Sequence, residues 1–153
     1  MQHSSPMKFM MQVLFWLLIV SFVLFYPMLI SFYVFLPLLI GLMGYLFIEG
    51  IEQGKWSYIL LSLIYFINLE VNLSLPFFLI LVAVLIVYML FYGTLSHLKK
   101  CKICRPLLTV FLIDVIYLGI LLAYDFVFGT SSIVLDTILL YSLVVDLLIV
   151  VVI

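Results

Sequence analysis

Long apolar stretches separated by short polar ones are the main pattern of this sequence. No charged residue occurs between positions 9 and 48. A membrane-crossing helix takes about 20 apolar residues, so this stretch is too long for one crossing and suits two. The residue before a proline is disfavoured in a helix, so Tyr26-Pro27 predicts the turn between them. The first two helices are therefore predicted at about 9–26 and 33–48.

Four further apolar segments follow, and each ends at a polar or turn-forming stretch. Polar and apolar residues alternate from Asn68 to Ser74, which is not the pattern of a lipid-facing helix. The third helix is therefore either short, or its last turns face protein or water. The remaining helices are predicted at about 56–73, 76–95, 106–127 and 133–153. The whole chain, 1–153, is expected to be one all-α domain: a polytopic membrane protein with six transmembrane helices and short loops.

The composition supports a membrane environment. Hydrophobic residues make up 69% of the chain and charged residues 8%, whereas soluble domains carry about 25% charged residues. A net charge of −1 offers no basic surface for nucleic acid. The polar start, Met1 to Lys8, and the apolar run after it resemble a signal peptide. That run is longer than the apolar core of about 7–15 residues that signal peptides have, so we expect a retained first helix.

Cationic residues cluster between the fourth and fifth apolar segments. Short loops rich in lysine and arginine stay on the cytoplasmic side of a membrane. Counting crossings from this loop puts Lys8, Lys55 and both termini on that side too, so all six cationic residues share one face. The residues of this loop that are predicted to set the topology are Lys99, Lys100, Lys102 and Arg105.

Four aspartates lie in the last two segments, which are predicted to form a hairpin about the turn at 128–132. Asp114 and Asp146 fall at one depth of this hairpin, and Asp125 and Asp136 fall at another, nearer the turn. Carboxylates inside a bilayer are costly and usually face a partner. One hypothesis is a relay for protons or cations. The other is that Asp125 and Asp136 are wetted at the surface, while Asp114 and Asp146 contact neighbouring helices or a partner subunit.

Asn68, Glu70 and Asn72 form a second polar cluster at the outer end of the third segment. Two interpretations are open for it. The cluster is either a ligand or ion site, or a solvated loop.

His97, Cys101 and Cys104 have part of a zinc-binding spacing. A structural zinc site takes four ligands, and only His3 is left to supply one, so no metal site is expected. A disulfide is not expected in a reducing cytoplasm, which leaves two ordinary loop thiols. The sequence contains no recognisable catalytic set or cofactor motif, so we expect neither an enzyme nor a cofactor.

The arrangement of segments resembles the MreD family of bacterial rod-shape-determining membrane proteins. Val34-Phe-Leu-Pro37 is similar to the family's Phe-Arg-Pro stretch, with Leu36 in place of the arginine. The stretch from Gly54 to Ser74 occupies the place of the family's glycine- and aspartate-containing third segment. Leu112-Ile-Asp114-Val-Ile is similar to the acidic position of the family's fifth segment.

This resemblance implies a non-catalytic scaffold of the bacterial inner membrane that helps to position peptidoglycan synthesis during elongation and so sets cell shape. The implied partners are MreC, the MreB filament and a peptidoglycan synthase pair, besides membrane lipids. Asp114 is implied to be a helix-packing or partner contact, and Asp146 shares its predicted depth. The alternative is a small solute-binding or ion-conducting transporter subunit, similar to the substrate-binding components of vitamin-uptake systems.

Overall fold

A computed structural model describes residues 6–33, 35–97, 101, 103–129 and 133–152. Six α-helices and no strands occur in this part of the chain, which confirms the predicted all-α class and the number of helices. They are α1 (Pro6–Phe32), α2 (Ile40–Gln53), α3 (Trp56–Asn72), α4 (Leu79–His97), α5 (Cys104–Phe128) and α6 (Ile133–Val152).

Two helical stretches, Lys8–Phe32 and Cys104–Phe128, are long and apolar enough to cross a membrane. Two shorter apolar stretches are Leu79–Thr94 and Thr137–Val152. By length and composition the structure therefore contains two candidate spans.

The predicted break at Tyr26-Pro27 is wrong, because α1 continues through Pro27 to Phe32. Proline has no N–H and leaves the carbonyl four residues earlier without its helical partner. That carbonyl belongs to Val23, and Nδ2 of Asn68 on α3 donates to it at 3.4 Å and to the neighbouring carbonyl of Leu24 at 2.7 Å. A side chain from a neighbouring helix therefore lets the helix pass the proline.

The second helix begins seven residues later than its predicted start at 33. Residues 35–39 are not helical, because Pro37 restricts the residue before it and Leu39 adopts a left-handed conformation with φ 51°. The helix ends at Gln53 rather than 48, and Gly54 closes it with φ 66°.

The short helix α2 occupies the centre of the bundle, where it contacts α3, α4, α5 and α6. Gly44 permits its close approach to two of them. A Cβ atom on Gly44 would lie 2.8 Å from Cδ1 of Ile113 and 3.0 Å from Cγ2 of Val84. By contrast, the described part of α1 packs against α3 alone.

We expect Asn68→Leu to lower the free energy of unfolding by about 1–3 kcal/mol, because it leaves the partly buried carbonyl of Val23 without a donor. In a Pro27→Ala background, Asn68→Leu should lower the free energy of unfolding by a smaller amount, since the restored N–H of residue 27 can bond a carbonyl within α1. Urea unfolding in detergent micelles, followed by circular dichroism, measures both.

Ser31→Ala is the control for this cycle, since its Oγ bonds the carbonyl of Met28 on the exposed side of the same helix. Equal costs of Asn68→Leu with and without Pro27 would show that the two residues are not coupled.

Candidate functional site

The first turn of α2 begins inside the bundle, and its N–H groups are capped by another helix. A helix start leaves several N–H groups without partners, and Leu39, the residue before α2, supplies no side-chain cap. Asp146 of α6 fills the role, because its Oδ2 accepts from the N–H of Gly41 at 3.0 Å and of Leu42 at 3.4 Å. One turn earlier on α6, Ser142 Oγ accepts from the N–H of Leu38 at 2.9 Å.

Two tyrosines bind the carbonyl groups of the same stretch. Tyr26 of α1 donates to the carbonyl of Pro37 at 2.9 Å, and Tyr65 of α3 donates to the carbonyl of Leu38 at 2.6 Å. Sequence reasoning did not single out these hydroxyls or Ser142. The sequence feature that could have indicated them is the presence of hydroxyl groups inside otherwise apolar helices, where each buried polar group needs a hydrogen-bond partner.

Asp114 of α5 reaches the same turn from the other side. Its Oδ2 and Oδ1 lie 2.7 and 2.9 Å from the position that a Cβ atom on Gly41 would take. The residue is only 4% exposed. Neither of its carboxylate oxygens has a hydrogen bond of normal geometry to a described residue, and the same holds for Oδ1 of Asp146. The structure therefore brings Asp114 and Asp146, which the sequence placed at one depth, against a single glycine.

The interpretation of Glu70 as part of a solvated loop is wrong. Glu70 lies within α3, is 2% exposed, and caps the start of α4. Its Oε2 accepts from the N–H of Phe78 at 2.8 Å and its Oε1 from the N–H of Ile80 at 3.1 Å. Both oxygens are thus used inside the fold, so this cluster does not present a free carboxylate to a ligand.

The polar alternation along this stretch has a helical explanation. At 3.6 residues per turn, Asn68 and Asn72 share one face of α3 and Glu70 lies on nearly the opposite face. Asn68 faces α1, and Asn72 Nδ2 donates to Asn68 Oδ1 and to its carbonyl oxygen, each at 2.7 Å. Glu70 faces the start of α4. Two faces of α3 are therefore polar, because each face forms hydrogen bonds with a different neighbouring helix.

Arg105 forms a charged contact between α5 and α2. Its guanidinium nitrogens lie 3.3 Å from a carboxylate oxygen of Glu49 and 2.6 Å from one of Glu52. All three side chains are largely buried. Arg105, predicted as part of a topology-setting basic loop, is thus held by two acids at the end of α2. Lys99, Lys100 and Lys102 lie outside the described residues.

Cys101 and Cys104 form a disulfide, so the expectation of two free thiols is wrong. Their Cα atoms are 5.4 Å apart, a separation that suits a disulfide. The side chain of Asp136 lies outside the described part of the structure, so its predicted pairing with Asp125 is not seen.

An apolar cavity of about 580 Å³ opens beside the α2 start, between α2, the beginning of α5 and the end of α6. Leu42 and Val150 line it. Leu42 donates its N–H to Asp146, and Val150 lies one helical turn after that residue. The residues that line the cavity do not include Asp114 or Asp146, and its link to the pair is through Leu42. Tyr45 supplies a polar group to its wall.

Comparison with protein-family models, with curated proteins and with solved structures gives no match for this chain.

We expect Gly41→Ala to lower the free energy of unfolding by about 1–3 kcal/mol, because overpacking a dense core is destabilising. The new methyl group would lie 2.6 Å from Cγ1 of Val110, besides the contacts with Asp114. Chemical unfolding in micelles is the measurement.

Gly93→Ala is the matched control, since Gly93 is also helical and a Cβ there meets nothing within 4 Å. It should leave stability unchanged or raise it by up to about 1 kcal/mol through helix propensity. A similar loss in both variants would contradict a specific contact at Gly41.

Proposed function

We propose that this chain is a six-span membrane protein that acts as a non-catalytic subunit, by packing its helices against partner membrane proteins. The observation that carries the proposal is the large apolar surface that the bundle leaves uncovered. Among the described helices, α1 packs against α3 alone, and most of its large apolar side chains are exposed. Contiguous apolar patches of this kind mark contacts with membranes or proteins.

The position of Arg105 supports an even number of crossings between the end of α2 and the start of α5. Its contacts with Glu49 and Glu52 bring the start of α5 next to the end of α2. The turns that follow α2 and precede α5 therefore lie at the same end of the bundle. Both are on the cytoplasmic side in the proposed six-span arrangement, in which cationic loops stay inside.

The use of the buried polar side chains supports a scaffold rather than an enzyme. Asn68, Glu70 and Asp146 all bond backbone groups of neighbouring helices, which is a structural role. The chain would then bind its partners through the outer, lipid-facing surfaces of its helices, since membrane helices associate through close packing.

The resemblance to the MreD family gives the finer form of the proposal. The chain would be a bacterial inner-membrane component of the cell-wall elongation complex that positions peptidoglycan synthesis. Its partners would be MreC, the MreB filament and the synthase pair, in addition to lipids.

Purification from native membranes in mild detergent tests this proposal. We expect an MreC-type protein or the synthase pair to co-purify with the tagged chain. Leu17→Ala with Phe25→Ala, both exposed on α1, should reduce the captured amount by about tenfold or more, because removing central interface side chains costs about 1–2 kcal/mol or more each.

Met89→Ala with Leu90→Ala, both exposed on α4, is the comparison variant, and unchanged capture in it would assign the interface to α1. Recovery of the wild-type chain as a lone monomer would contradict the scaffold proposal.

The acidic pair favours a second candidate, a small solute-binding or ion-conducting transporter subunit. Asp114 and Asp146 together leave three carboxylate oxygens without hydrogen bonds of normal geometry to described residues. Ion-flux and ligand-binding assays on reconstituted protein test it, with Asp114→Asn, Asp146→Asn and Glu70→Gln as variants. The candidate is discarded if neither flux nor binding is seen in any background.

A further inference from the structure

The α2 start has a favourable place for one negative charge. Asp146 is fully buried, and its Oδ2 accepts two backbone N–H groups of the first turn. The positive end of a helix dipole favours an anion at this position. The charge of Asp146 is therefore stabilised where it lies.

Asp114 is held less well: within the described residues, neither of its carboxylate oxygens has a hydrogen bond of normal geometry. The hydroxyls of Tyr26 and Tyr65 donate to backbone carbonyls. On α6, Ser142 and Asp146 face the start of α2. Arg105 forms ion pairs with Glu49 and Glu52, at the other end of α2.

A second full charge on Asp114 would thus be buried beside the same glycine as Asp146, with no hydrogen bond of normal geometry to a described residue. Isolated buried charges cost several kcal/mol even after relaxation. We propose that Asp114 and Asp146 together form a binding site for a single proton, which Asp114 carries while Asp146 stays ionised on the first turn of α2.

The packing favours a proton over a larger cation. The space between Asp114 and Gly41 is too small for a methyl group without displacement, since a Cβ there would meet Cγ1 of Val110 at 2.6 Å. Within the described residues, no three His, Cys, Asp or Glu side chains are grouped to hold a metal ion. A proton balances the second carboxylate without requiring room.

The neighbouring cavity gives the site a route for exchange. Leu42, whose N–H bonds Asp146, lines it, and the cavity extends to Ile103 and Pro106 at the start of α5. Arg105, whose end of the bundle is cytoplasmic in the proposed topology, lies between these last two residues in sequence. The proton is therefore expected to exchange with that side.

Carbon-13 NMR of the aspartate carboxyl groups tests the proposal on reconstituted protein. The chain has four aspartates, so Asp125→Asn with Asp136→Asn leaves only Asp114 and Asp146 visible. At neutral pH we expect one protonated and one ionised carboxyl resonance. Two ionised or two protonated resonances would overturn the proposal. Adding Asp114→Asn should remove the protonated resonance, and its survival would overturn the assignment to Asp114.

The pH dependence of stability supplies a readout that does not need the labelled variant. A proton held more tightly in the folded than in the unfolded chain stabilises the fold, and this stability is lost as rising pH removes the proton. Asp114→Asn should abolish that loss, whereas Asp125→Asn on the same helix should preserve it. An unchanged pH profile in Asp114→Asn would overturn the proposal.

The outcome is independent of the scaffold proposal, because proton binding is measured on the isolated chain and partner capture is measured in native membranes. Partner capture together with two ionised carboxylates would contradict only the proton-site proposal. Recovery of a lone monomer that has one protonated carboxyl group would contradict only the scaffold proposal.

Discussion

Backbone polar groups that lie outside regular helices must find partners in the apolar interior, and this constraint shapes the whole bundle. Buried N–H and C=O groups are almost always hydrogen-bonded in folded proteins. The helical ladder is interrupted at Pro27, at the stretch before and within the first turn of α2, and at the start of α4. In each place a side chain from another helix supplies the missing hydrogen-bond partner.

These contacts account for three of the polar residues that stand out in the sequence. Asn68 donates to carbonyl groups of α1 near Pro27. Glu70 accepts N–H groups at the start of α4, and Asp146 accepts N–H groups at the start of α2. The net gain from one such hydrogen bond is about 1 kcal/mol, but leaving a buried partner unsatisfied costs more. Their value is therefore chiefly in specificity, since each one fixes the position of one helix on another in a core whose apolar contacts are not directional.

Asp114 differs from the other buried acids. Glu70 uses both of its oxygens and Asp146 one, and Glu49 and Glu52 share Arg105. Asp114 is packed against backbone without a hydrogen bond of normal geometry to a described residue. A carboxyl group in that position has no structural role among the described contacts, so it is the group to which we assign proton binding. The proposed scaffold action, by contrast, uses the outer surface and does not depend on this group.

The sequence by itself determined the all-α class and the six helices, because long apolar runs separated by polar turns have few other solutions. It also predicted the starts at Trp56 and Ile133, where no helix-breaking residue competes with the pattern. Tertiary structure decided whether Pro27 ends a helix and where the second helix begins. Tertiary structure also made Glu70 a buried cap. In each case the deciding partner is distant in sequence: Asn68 bonds carbonyls 44 and 45 positions earlier, and Asp146 bonds an N–H 105 positions earlier. Local propensity cannot report such a partner, because its position is fixed only when the helices pack.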